Sequence, residues 1–161
     1  MDVVEKLLRQ VSAAMRAAGS LCILGMVLVT MADVVGRAGQ SPVFGSEEIV
    51  AFLAVLALAL SLPYGHEHRT HIGVEVFVQL LSTRTRRVLK VFRDTLSVLF
   101  FALVTVMMGV YARDKHFSGE VSLNLGLPEH YIVYALAVCF AVTTVYMAVD
   151  LVRFVGEWRR S

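Results

Sequence analysis

Four stretches of this chain lack charge for long enough to cross a lipid bilayer, and that leaves few folds open to it. Ala17–Ala32 is free of acidic and basic residues for 16 positions, Ile49–Gly65 for 17, Thr95–Ala112 for 18 and Tyr131–Val149 for 19. A hydrocarbon core about 30 Å thick needs about 20 helical residues, with about 17 as the lower bound. The last two runs meet that length outright, and the first two meet it when Asp33 and Glu48 sit at the headgroups. The expectation is an all-α membrane protein, one integral membrane domain over residues 1–161. Its four transmembrane helices fall at about residues 17–37, 48–65, 93–113 and 130–150.

Composition supports that reading. Hydrophobic residues make up 57% of the 161 and charged residues 17%, against roughly 45–50% and 25% in globular proteins. Mean hydropathy is +0.70. A disordered chain and a collagen-like fibre are excluded, and a soluble enzyme does not fit. A net charge of +2 is too small for a nucleic-acid binder. Cys22 and Cys139 both lie in apolar runs and read as small core residues, not as a disulfide framework. A cleavable signal peptide does not fit the first run, because Asp33 and Arg37 follow it with no small-residue cleavage site.

Orientation follows from lysine and arginine. With the N-terminal flank, second loop and tail on one side, twelve fall there and three on the other. The positive-inside rule then puts both termini in the cytoplasm. Two cytoplasmic amphipathic segments are expected at the interface, at about 2–16 and 72–92. In the first, Val3, Val4, Leu7, Leu8, Val11 and Met15 form a helical stripe. In the second, Ile72–Leu81 is apolar but too short to span, and Ser82 can cap a new helix. That helix carries Arg84, Arg86, Arg87 and Lys90 and continues into the third span. These four are expected lipid-headgroup anchors, at about 1 kcal/mol each. In the third loop Leu123, Leu125 and Leu127 alternate with small or polar residues, which reads as an ordered external lip. Pro128 suits the first turn of the fourth helix.

The chemistry the spans omit is informative. No acidic, basic or histidine side chain lies near the middle of any of them, although proton and ion pathways usually need such groups at depth. No catalytic, substrate-binding or metal-binding residue is expected, and no cofactor. The cluster His66-Glu67-His68-Arg69-Thr70-His71 could hold zinc, but a hydrated cytoplasmic turn after Pro63 accounts for it as well. Haem between two histidines fits poorly, since all five histidines lie in loops or at span ends. Asp33 and Arg37 share one helix face at the external end of the first span, with Glu47 and Glu48 opening the second span beside them. That group reads either as an ordinary interfacial charge cluster or as a polar latch between helices or to a partner. Small residues on the second helix (Ala51, Ala54, Ala57, Ser61) and the fourth (Ala137, Ala141) permit close packing.

Taken in order, D-V-V-G-R (Asp33–Arg37), S-E-E-I-V-A-F-L (Ser46–Leu53), H-I-G-V-E-V (His71–Val76), L-S-T-R-T-R-R (Leu81–Arg87) and L-G-L-P-E-H-Y (Leu125–Tyr131) form a set. On a four-helix chain of this length the set resembles the small, DctQ-type membrane subunit of tripartite ATP-independent periplasmic (TRAP) transporters. The resemblance covers about Ala17 to Val155. Ala38-Gly39 stand where the family often has an aromatic residue, and the second span is richer in alanine and leucine. The resemblance implies a bacterial inner-membrane subunit, multi-pass, with a large membrane subunit and a periplasmic binding protein as partners. That binding protein captures an organic anion such as a dicarboxylate or sialic acid. The large subunit moves it on a sodium gradient by an elevator-type motion, and the small one serves as static, non-catalytic scaffold. Candidate partner or helix-interface residues are Asp33, Arg37, Glu47, Glu48 and His71. Two other functions compete: a membrane anchor of an electron-transfer complex, and a small autonomous transporter acting as a homodimer. No fused second domain is expected after Arg159-Arg160-Ser161.

Overall fold

A backbone in hydrocarbon must satisfy its own hydrogen bonds, which favours long unbroken helices with brief connectors. The computed structural model describes residues 2–67 and 83–160. These form four helices, α1 (Asp2–Ala38), α2 (Ser46–Glu67), α3 (Thr83–Ser118) and α4 (His130–Arg160). All four are long and apolar enough to cross a membrane. Among the described residues there is no β-strand, only an isolated bridge between Val121 and Pro128.

Residues 2–16 are not set off from the first span: α1 is one helix of 37 residues, about 55 Å long. The basic segment from Thr83 likewise runs straight into the third span, as α3 has 36 residues. Both exceed a 30 Å core and must tilt or project from it. Two boundaries differ from the sequence reading. Pro63, fully buried, lies inside α2, so His66 and Glu67 belong to the last turn of that helix and not to a loop. Pro128 precedes α4, whose first turn is capped by Glu129, its carbonyl accepting from the Ile132 and Val133 amides. The apolar segment 72–81, the Ser82 cap and His71 lie outside the described residues.

α1 packs on α2, α2 on α4, and α4 on α3. The arrangement is a row of two antiparallel hairpins, with α2 and α4 central. Those two run parallel: Glu48 and Leu125 meet at one end of the row, His66 and Asp150 at the other. Arg16 over Tyr64 and Lys90 over Phe154 put the starts of α1 and α3 at that second end too. The core cluster joins Met15 of α1, Ala59 of α2, and Leu136 and Cys139 of α4.

Small residues allow the close approaches. A Cβ on Gly25 would stand 3.3 Å from Leu53, and one on Gly19 would stand 3.4 Å from Leu60. Of the small residues expected to pack on α2, Ala57 is buried while Ala51 and Ser61 face outward. Between α3 and α4 the hydroxyls of Thr105 and Thr144 lie 3.3 Å apart. Interhelical hydrogen bonds of this kind contribute about 0.6–2 kcal/mol in membranes.

Ala112 is fully buried and Leu99 is 68% exposed. Ala112→Leu overpacks the helix contact at a cost of about 1–3 kcal/mol. It should lower the unfolding temperature of the detergent-purified chain, while Leu99→Ala leaves that temperature nearly unchanged.

Candidate functional site

The polar residues that the sequence singles out converge where the α1–α2 and α3–α4 connectors meet. α1 ends in a Schellman motif, with Ser41 N–H donating to Gly36 O at 2.8 Å and Gln40 N–H to Arg37 O at 3.2 Å. Gln40 takes the left-handed conformation there, at φ 60°. The chain then doubles back, and the amide of Val43 is left without a helical partner. Asp33, 8% exposed, supplies one: Oδ1 accepts from Val43 N–H at 3.1 Å. Its other oxygen accepts from Arg37 Nε at 2.8 Å, and Arg37 reaches Glu47 at 3.6 Å.

Glu48 does the same for the other connector. Its two oxygens accept from the Asn124 and Leu125 amides at 2.7 and 3.0 Å, bridging α2 to a loop 76 positions away in sequence. At the N-terminus of α2 both Glu47 and Glu48 also oppose the helix dipole favourably. Gly45 is required for this approach: its φ is +72°, and a Cβ there would stand 2.6 Å from Leu125.

The far loop has its own tether. Lys115, near the end of α3, pairs with Glu120 and with Glu129, the latter at 2.9 Å. Ser122 closes the turn: its N–H donates to the Leu127 carbonyl, its own carbonyl accepts from the Gly126 amide, and its hydroxyl accepts from the Leu127 amide. Leu123 is carried on top, almost wholly exposed. The lip is therefore ordered, with Leu125 turned in against Gly45.

Asp33, Arg37 and Glu47 thus form one chain of contacts, and Glu48 forms a second with the opposite hairpin. Lys115, Glu120, Glu129 and Ser122 completed the site without being anticipated. The carboxylate of Glu129 stands in the L-P-E-H-Y motif, but the Lys115–Glu120 pair spans a helix end, where i,i+4 rules give no signal. At the opposite end Arg84, Arg86 and Arg87 fall in the first turns of α3, and the Lys90 ammonium sits 3.5 Å above the Phe154 ring. Arg93 forks onto Asp94 with two bonds of 2.8 and 2.9 Å. His66 lies 3.7 Å from Asp150. No group of three or more potential metal ligands occurs among the described residues.

The clasp formed by Asp33, Arg37, Glu47 and Glu48 and the loop tether beside it make one prediction each. Glu48→Ala removes both acceptors, so amide exchange at Asn124 and Leu125 should rise on the order of tenfold or more, with helix-core amides unaffected. Glu120 lies outside the spans, and the Lys115 ammonium beside it holds its carboxyl below the ordinary glutamate value of 4.5. A lowered carboxyl stabilises the fold above its unfolded value, and the contribution is lost as pH falls through the lowered one. Glu120→Gln should therefore reduce protection of the 119–129 loop at neutral pH. In acid below the lowered value, wild type and variant should match.

A model for the family described as tripartite ATP-independent periplasmic transporters, DctQ component, matches residues 26–157. That stretch begins within α1, includes the whole clasp and ends in the last turns of α4. No curated protein matches the chain. With four spans and this match over most of its length, the chain belongs to the DctQ family: a small membrane component of a TRAP transporter, multi-pass in the bacterial inner membrane.

Proposed function

We propose that this subunit is a non-transporting scaffold that stabilises and anchors a large elevator-type subunit importing an organic anion on a sodium gradient. A periplasmic binding protein delivers that anion, a carboxylate such as a dicarboxylate or sialic acid. The observation that carries the reading is the uncharged middle of all four spans. A coupling site at depth needs ionisable or broken-helix groups, and a stator needs only firm anchors and broad apolar contact. The exposed apolar faces of α1 and α3 suit such contact. They include Leu24, Leu28 and Met31 on one, and Leu99, Leu103 and Met107 on the other.

Both termini face the cytoplasm in this reading, which puts the clasp of Asp33, Arg37, Glu47 and Glu48 on the periplasmic side. Arg84, Arg86, Arg87 and Lys90 then hold the base of α3 among anionic headgroups. Glu47, exposed at the rim and loosely paired with Arg37, is the group best placed to exchange its partner for one on another subunit.

A mild-detergent pulldown from native membranes tests the assembly. The large subunit should copurify at equal stoichiometry, and Arg37→Gln or Glu47→Gln should reduce the recovered amount severalfold without lowering the level of this chain. Recovery of the chain alone, or with redox subunits, would overturn the reading.

A further inference from the structure

Two histidines that play no part in the clasp face each other across the end of the α3–α4 hairpin. His116 stands in the last turn of α3 and His130 opens α4. Their ring centroids are 4.7 Å apart, with the planes at 72°. The Nδ1 atom of His130 is buried and has no hydrogen-bond partner. Buried polar atoms are nearly always paired, and an orphaned one asks for an explanation. What surrounds this ring is aromatic: besides His116, Tyr131 lies at 4.2 Å and Tyr134 at 6.4 Å between centroids. Neutral imidazole always keeps one nitrogen lone pair, so this pair of rings offers two.

We propose that His116 and His130 form a two-imidazole site for a late first-row divalent cation such as zinc or nickel, completed by water. Imidazole is the ligand such ions favour. With a metal–nitrogen distance of about 2.0–2.1 Å, two cis imidazoles place their centroids about 4.5–5.2 Å apart, the spacing found here. His116 is exposed, so its ring can turn a nitrogen toward the shared point without disturbing the core. The neighbouring charge does not oppose a cation. Lys115 is held by Glu120 and Glu129, so the three together carry a net negative charge, and Arg113 lies toward the Phe117 ring, 5.8 Å away. A cation bound there would fasten the end of α3 to the start of α4 beside the clasp. The site is a two-histidine one by construction, since no third protein ligand joins the pair among the described residues.

The test is zinc titration of the full chain, purified in detergent without a histidine tag, against a chromophoric chelator. His66, His68 and His71 are the competing source of binding, so a His66→Asn/His68→Asn/His71→Asn chain is titrated in parallel. One equivalent should bind in that background. It should weaken about tenfold or more when either His116→Asn or His130→Asn is added. His116→Asn should unfold at the same temperature as its parent without zinc, and zinc should raise that temperature only in the parent. No zinc binding by the wild type would overturn the site. So would loss of all binding in the triple background, or affinity unchanged by His116→Asn and His130→Asn.

Discussion

Everything in this fold depends on how the backbone that leaves a helix is satisfied at the edge of the bilayer. Within the spans each amide is bonded by its own helix. At the connectors it is not, and the two acidic side chains at the rim take over. Asp33 holds the amide of Val43, and Glu48 holds those of Asn124 and Leu125. The first closes the α1–α2 hairpin on itself. The second joins that hairpin to the other one, at the point where α2 and α4 begin side by side. Charge-assisted bonds to backbone amides are stronger than neutral ones, and here they fix the relative height of two hairpins that otherwise touch along one helix seam.

That seam gives the molecule its character as a subunit. A row of four helices, in which α1 and α3 lie at the ends, cannot enclose a core as a closed bundle would. Among the described residues few are buried, and many of those are small, such as Ala57, Ala59, Ala112 and Thr143, while most leucines point outward or are only half-buried. In lipid this is not a hydrophobic cost, because acyl chains are as apolar as leucine, and association rests on packing and a few polar contacts. In the proposed scaffold role, an apolar row with firm ends is what a membrane partner can lie against, and the middles of its spans carry no acidic, basic or histidine side chain.

Much of this was legible in the sequence because the bilayer imposes its own ruler. Uncharged run length gave the four spans, and the basic stretch after Thr83 was rightly joined to the third. The proximity of Asp33, Arg37 and Glu47 followed from helix periodicity and a short connector. What escaped was non-local or depended on backbone detail. Glu48 pairs with amides 76 and 77 positions away, and backbone donors carry no side-chain signature. The second span was expected to pass Pro63, as neighbouring helices in a membrane permit, but His66 and Glu67 were read as a hydrated turn because charged and histidine side chains after a proline look like the end of a helix. The N-terminal stripe looked like a separate surface helix, yet no glycine or proline stands between Met15 and the first span to break it from α1.

Reconstitution separates a scaffold from a transporter most directly. Sodium-driven uptake would be followed in proteoliposomes holding the large subunit and its binding protein, with and without this chain, and in liposomes holding this chain alone. The account predicts uptake only when the large subunit and this chain are both present. Undiminished uptake by the large subunit without this chain, or flux through this chain alone, would contradict it.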